Sequence, residues 1–396
     1  MQIKKWLIFC AGVAVFFSGI SYSFAQSTSQ SGSPQSPNSV MQSQPNQQTS
    51  PKTQLSEKIH VLLQEKCDQD QFSGAIVIAK GDQLITDGVC GQANKRYHVA
   101  NTMETKFNIA SIGKMFTAVA IAQLAEAGKL SYDDKLSRYV DTSWYPKSIL
   151  DQVTIRQLMS HRAGFGDMLS EHIVYAPYIK LIFLRELADY KSLLRNDKLK
   201  FEPDSNFLYS NTGFFLLGLV IEKASGKNFF TYIREHIYQP AGMVNSDSYF
   251  RDEPVENIAT GYFSTPQAPN FSKENNFYIP LRGSPFGVGY STVHDLWQFT
   301  SALRAGKLIK NESLQLLWTD NSKGQNVGGR PFGLGFQVWS SGMGKVAGHT
   351  GSLQGVSGEV AMYVDSGYTV IVLSNYDSTG YLASQLEALL VDAEAK

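Results

Sequence analysis

The sequence has no excess of either charge: 35 lysines and arginines stand against 35 aspartates and glutamates in 396 residues. That balance removes the electrostatic footprint on which nucleic-acid binding depends, so no nucleic-acid partner is expected. Aromatic residues make up 12% of the chain without basic residues interleaved, which assigns them to a core rather than to a base-stacking surface. A G-x-S-x-G elbow is absent, which argues against an α/β-hydrolase. No P-loop, dinucleotide fingerprint or internal repeat is present. The histidines, at His60, His98, His161, His172, His236, His294 and His349, lack metal-ligand spacing, so neither a metal nor another cofactor is expected.

What is present describes a globular protein with an exported beginning. Hydrophobic residues make up 43% and charged residues 18%, enough for a buried core in one large domain or two. Residues 1–25 read as a secretory signal: Lys4 and Lys5, an apolar run from Trp6 to Phe17, then a small-x-small cleavage site at Ser23-Phe24-Ala25. The competing reading is an uncleaved membrane anchor over residues 6–25. Cleavage leaves 33 basic against 35 acidic side chains, and a periplasmic or secreted protein is expected. Residues 26–53 are Ser/Gln/Pro/Asn-rich, too poor in apolar surface to offset the entropy of ordering, and are expected to form a disordered linker.

The folded part is expected over 54–396. An amphipathic helix at Leu55–Cys67 leads into a buried strand at Phe72–Lys80, which Gly81-Asp82 turns back through Gln83–Gly91. A helix from Ser111 to Glu126 follows. Helical spacing then marks Thr154–Ser160, Val174–Leu194, Thr212–Ser225 and Asn228–Tyr238. Arg251–Ser291 reads as proline-rich loop, and a helix runs from Ser291 through Leu303. Strands are expected at Phe332–Trp339, Gly344–Gly348, Glu359–Val364 and Tyr368–Ser374, with a last helix at Gly380–Ala393. Strands at both ends around a helical middle predict an α/β (α+β) fold. In it, an antiparallel sheet of N- and C-terminal strands (54–110 and 265–396) is flanked by terminal helices, with a mainly helical part at 111–264. In an exported protein Cys67 and Cys90 can pair across the first hairpin. Two small buried hydrophobes are the preferred reading of them.

The chemistry gathers at Phe107-Asn108-Ile109-Ala110-Ser111-Ile112-Gly113-Lys114. Ser111 and Lys114, three residues apart, share one face of a helix start. A serine hydroxyl needs a nearby base to become a nucleophile, and a lysine held close can share that task. Backbone N–H groups at the helix start favour the negative charge that develops on the attacked carbonyl. Ser-x-x-Lys occurs once in the chain, as does Tyr-x-Asn at Tyr209-Ser210-Asn211, and His349-Thr350-Gly351 supplies a third piece. Each has a plainer alternative: Ser111 as an N-cap and Lys114 on the surface, Tyr209 packed beside Phe207, Asn211 capping the next helix, His349 in a loop.

In combination and in this order, the three pieces resemble the serine β-lactamase and penicillin-binding-protein superfamily, in its class C-like branch with secreted D-alanyl-D-alanine carboxypeptidases. The resemblance spans residues 54 to 396. It is supported by Leu158-Met159-Ser160-His161-Arg162-Ala163-Gly164, Phe201-Glu202-Pro203, Gly287-Val288-Gly289-Tyr290-Ser291-Thr292 and Phe332-Gly333-Leu334-Gly335-Phe336. It implies that Ser111 is the nucleophile of an acyl-enzyme, that Lys114 shares the base function, and that Tyr209 is base or proton shuttle. It implies further that Asn211, His349 and Thr350 bind substrate, and that the backbone N–H groups of Ser111 and Ser352 form the oxyanion hole. His161 is given a structural role in its turn. His349 stands where much of the superfamily has lysine, a form that resembles one branch of the carboxypeptidases and also D-aminopeptidases and esterases. Arg330 is an alternative partner for a substrate carboxylate. The expected activity is hydrolysis of D-alanyl-D-alanine peptides, with β-lactam binding or hydrolysis. An ester hydrolase or D-amino-acid amidase, and a non-catalytic cell-wall peptide binder, are the alternatives. The partner in every case is a small molecule or peptide.

Overall fold

Strands β1 (Gly74–Lys80) and β2 (Gln83–Cys90) form the expected hairpin, and the hydrophobic run of β1 puts it inside the sheet rather than at its edge. The computed structural model describes residues 51–170, 178–194, 198–326, 328–379 and 381–395. The leader at 1–25 and the linker to residue 50 lie outside the described residues. β3 (Gln92–Asn94), β4 (Val99–Ala100) and β5 (Phe107–Asn108) are short and lead to the nucleophile turn. β6 (Tyr262–Thr265) and β7 (Ala268–Glu274) pair with each other and β8 (Tyr290–Ser291) pairs with β5, before the chain returns to the main sheet through β9 (Gln337–Ser341), β10 (Gly344–Leu353), β11 (Val356–Tyr363) and β12 (Tyr368–Ser374). The main sheet is antiparallel in the order β2-β1-β12-β11-β10-β9, built from both chain ends as predicted.

The helices are α1 (Pro51–Asp68), α2 (Lys114–Glu126), α3 (Lys147–Leu150), α4 (Ile155–Met159), α5 (Asn211–Ser225), α6 (Phe229–Ile233), α7 (Gln239–Ala241), α8 (Val293–Arg304), α9 (Asn311–Leu317) and α10 (Leu382–Glu394). Alternation along each strand sorts the apolar residues onto two faces. Ile76, Ile78, Val346, Val370 and Val372 pack with Ile59 and Leu63 of α1 and with Leu382, Leu386 and Leu390 of α10. Ala75, Val77, Ala347, Val360, Ile371 and Leu373 face the other way, into a larger core with α2, α5 and α8. Among the described residues no helix is long and apolar enough to cross a membrane.

Several expectations change, among them the strand expected at Phe332–Trp339, which begins only at Gln337. Cys67 and Cys90 form a disulfide, with their Cα atoms 6.2 Å apart. The β2 strand runs back beside the end of α1, so the two are bridged rather than separately buried. Helix α1 begins at Pro51, inside the segment read as linker. The helix expected at Val174–Leu194 is, in its described part, two 3-10 turns, Tyr178–Phe183 and Leu187–Leu193. Glu186 starts the second turn independently, through a reciprocal capping bond with Asp189. The stretch read as loop over Arg251–Ser291 holds the β6–β7 hairpin, where Asn270 and Phe271 both take positive φ.

Candidate active site

The nucleophile turn is a 3-10 helix, Ala110–Gly113, that continues directly into α2. Lys114 therefore begins the α-helix proper, and its side chain reaches back over Ser111. Its Nζ donates to Ser111 Oγ at 3.1 Å, to Asn211 Oδ1 at 2.7 Å and to the Phe286 carbonyl at 2.7 Å. The ammonium is fully buried, and that desolvation pulls its pKa down from 10.5 to about 7, with Asp167 opposing the shift. A helix N-terminus adds to the penalty on a positive charge.

Tyr209 donates its phenolic O–H to Ser111 Oγ at 2.8 Å. The Lys114 ammonium lies 4.8 Å from the centre of its ring. Burial nevertheless pushes the phenol well above its usual value, so near neutrality Tyr209 is a proton donor and Lys114 is the group able to give up its proton. Tyr209 and Asn211 are held by the start of α5. Ser210, not Asn211, is the cap of that helix: its Oγ accepts the Gly213 N–H and donates to the Gly166 carbonyl. Asp167 Oδ2 accepts the Asn211 N–H at 2.6 Å.

The imidazole of His161, assigned only to a turn in the sequence, sits directly behind Tyr209. Its Nδ1 accepts the Ser210 N–H at 3.1 Å, and the two rings are 4.4 Å apart. Burial, then the charge of Lys114, holds this histidine well below its usual pKa. His349 lies inside β10 rather than in a loop, and is fully buried. Its Nδ1 donates to the Thr350 carbonyl at 2.6 Å, and burial lowers its pKa to about 3, so it is neutral in the site. The rings of His161, Tyr209 and His349 all pack on Phe332, at 4.9, 5.8 and 5.8 Å.

Strand β10 outruns its neighbour. β9 pairs only with Gly344–Gly348, so the stretch from His349 to Leu353 has a free edge. The Thr350 N–H points to that edge, where Gln337 Oε1 accepts it at 3.0 Å. Alternation along a strand turns the Ser352 N–H the same way, past the end of β9. Gly351 brings this edge against the nucleophile turn: a Cβ there would lie 2.4 Å from the Ile109 carbonyl oxygen. The turn is held on its other side by Gly287, whose φ is +130° and whose added Cβ would lie 2.0 Å from the Ala110 oxygen. Ala110 itself sits at φ 43°, a costly conformation for a residue with a side chain, and positions the peptide before Ser111.

All the residues expected from sequence are thus placed around Ser111 except the alternative carboxylate partner. Arg330 bonds Glu359 at 3.0 Å and stacks on Trp339, on the sheet face shared with α10. His161, Asp167, Phe286 and Gln337 were not picked out for the site. Of these, His161 lies within one of the supporting stretches, Phe286 and Gln337 each stand next to one, and Asp167 adjoins none. Among the described residues no group of three or more His, Cys, Asp or Glu side chains is placed to hold a metal ion.

Comparison with known proteins agrees with this geometry. The family model described as Beta-lactamase matches residues 59–394. Penicillin-binding protein 4* of Bacillus subtilis is 30% identical over 345 residues, covering 83% of this chain and 74% of that protein. The crystal structure of a penicillin-binding protein from Bacillus halodurans superposes with a TM-score of 0.74 at 31% identity, covering 84% of this chain and 98% of the other. The D-amino acid amidase of Ochrobactrum anthropi SV3, solved with D-phenylalanine, shares the fold at 21% identity with a TM-score of 0.73, covering 87% of this chain and all (100%) of its own. With a serine, a buried lysine and a tyrosine hydrogen-bonded at the junction of sheet and helices, and with the family match running almost the length of the folded part, the chain belongs to the β-lactamase family.

Proposed function

We propose that this protein is an exported serine hydrolase that cleaves amide or ester bonds to D-amino-acid-containing substrates through an acyl-enzyme on Ser111. The observation that carries the reading is the double hydrogen bond at Ser111 Oγ, from Tyr209 and from a lysine whose pKa is brought to about 7. Neutral Lys114 takes the Ser111 proton as Oγ attacks the carbonyl carbon. The oxyanion is met by the N–H groups of Ser111 and Ser352. As the bond to the leaving group breaks, Tyr209 gives that group its proton and recovers one from the Lys114 ammonium. Water then attacks the ester by the same route in reverse, Ser111 leaves with a proton, and one acid and one amine or alcohol are released per water consumed.

Likeness to penicillin-binding proteins supports β-lactams as acylating ligands, and the proposal extends this to D-alanyl peptides of the cell-wall type as substrates. An amidase or esterase is the second reading, favoured by one observation: His349 is held neutral and offers no charge to a substrate carboxylate. Export is supported by the Cys67–Cys90 bond, which persists in an oxidising compartment. The test is to treat purified protein with a fluorescent penicillin and a fluorophosphonate, then to assay an acyl-D-alanyl-D-alanine, a D-amino-acid amide and a nitrophenyl ester. Turnover with labelling that disappears in Ser111→Ala is expected. Absence of labelling by both reagents in folded protein would overturn the reading.

A further inference from the structure

Gln337 closes β9 at the point where the free edge of β10 begins, and its residue is only 4% exposed. Its Oε1 accepts two hydrogen bonds from one residue, the Thr350 N–H at 3.0 Å and the Thr350 Oγ1–H at 3.2 Å. An N–H and an O–H converging on one point make a receptor for a ligand oxygen. Here the chain's own carboxamide oxygen fills it.

The end of the cleft concerned follows from the proton path. Ser352 N–H, two residues further along the same edge and roughly 6–7 Å away, is the one aimed at the oxyanion. Tyr209 protonates the leaving group, and its ring shares Phe332 with His349, the neighbour of Thr350. Thr350 therefore lies on the leaving-group side of the oxyanion position. A carboxylate carries acceptors only. Placed at Thr350 it meets the acceptor oxygen of Gln337, which already takes both Thr350 donors, and a neutral buried imidazole beside it.

We propose that Gln337 is a built-in occupant of the leaving-group end of the cleft, which selects acyl donors whose leaving group carries no carboxylate: D-amino-acid amides, esters and C-terminally blocked peptides. This rests on the acyl-transfer reading above and sharpens its substrate class. Gln337 is a specificity residue that acts through Thr350.

The test compares an acyl-D-alanyl-D-alanine with the same peptide closed as its carboxamide, using the wild type, Gln337→Ala and Gln337→Glu. The wild type is expected to favour the carboxamide in kcat/KM by about tenfold or more, the worth of one charge-assisted hydrogen bond. Gln337→Ala frees both Thr350 donors and moves the ratio toward the carboxylate by a similar factor, through KM for that peptide. Gln337→Glu, which keeps the shape and adds a negative charge, moves the ratio the other way. Because each ratio is taken within one preparation, loss of folded protein cancels. A wild type that prefers the free carboxylate, or a ratio unmoved in both variants, overturns the role of Gln337. Fluorophosphonate labelling in the same preparations reports separately on the acyl-transfer reading, which falls if Ser111 is not labelled.

Discussion

Lys114 Nζ lies closer to Asn211 Oδ1, at 2.7 Å, than to the hydroxyl of Ser111, at 3.1 Å. The carboxamide is a neutral acceptor, so it fixes the lysine without stabilising its charge as a carboxylate would. Replacing it by a carboxylate separates those two effects. In Asn211→Asp the added negative charge raises the Lys114 pKa, since an opposite charge at this distance shifts a group by about one to three pH units. The rising limb of the acylation rate against pH should move alkaline by that amount. An unmoved limb would detach Lys114 from the rate.

In the wild type the same limb should rise as pH passes through about 7, because the neutral amine is the form that accepts the Ser111 proton. Pre-steady-state acylation measured from pH 5 to 9 reads it directly. Tyr209→Phe, which removes the hydroxyl and keeps the ring on His161 and Phe332, should slow turnover by about 10²–10⁴-fold without a comparable loss in melting temperature.

Acid should destabilise the fold through the buried histidines His161 and His349. Both have pKa values below that of an unfolded histidine, about 6.5, so unfolded chain takes up protons that the folded protein refuses. The stability they contribute is complete above pH 6.5 and is lost as pH falls toward their folded values. For His349, with a folded pKa of about 3, the loss by pH 5 is about 2 kcal/mol. Urea unfolding of wild type and His349→Gln at pH 7.5 and pH 5 should show a smaller pH difference in the variant.

The residues of the site were legible where the chemistry is local. Ser111 and Lys114 are spaced within a helical turn, Tyr209 and Asn211 flank a helix cap, and neither pair needs knowledge of the sheet. His161 was not legible as a site residue, because it reaches Tyr209 only through a left-handed backbone position, φ 58°, that its sequence does not announce. The place of Gln337 is not legible for another reason: it depends on β9 beginning opposite Gly348, a matter of register between strands. The centre of the six-stranded sheet was legible because β1 and β12 are largely apolar runs from the two ends of the folded part. The β6–β7 hairpin was not, since its second strand, Ala268–Glu274, is mostly polar and begins with a proline at its second position.

Gly287→Ala should damage the nucleophile turn rather than the fold at large. Its Cβ would press on the Ala110 carbonyl, in a backbone conformation that side chains rarely adopt. A displacement of the order of 1 Å at Ser111 costs about 10²-fold in rate, so penicillin or fluorophosphonate labelling should slow by about that factor. Reduction of the Cys67–Cys90 bond makes the opposite separation. It releases a link of 23 residues' separation, costs about 3 kcal/mol of stability, and should leave the labelling rate of the folded protein unchanged.

Every step of the proposed chemistry depends on acylation of Ser111 activated by Lys114. The most direct measurement is intact-protein and peptide mass spectrometry after a fluorophosphonate, on wild type, Ser111→Ala and Lys114→Ala. One adduct per chain, located on the peptide containing Ser111, absent from Ser111→Ala and strongly slowed in folded Lys114→Ala, is the predicted result. An adduct on another residue, or labelling of Lys114→Ala at the wild-type rate, would contradict it.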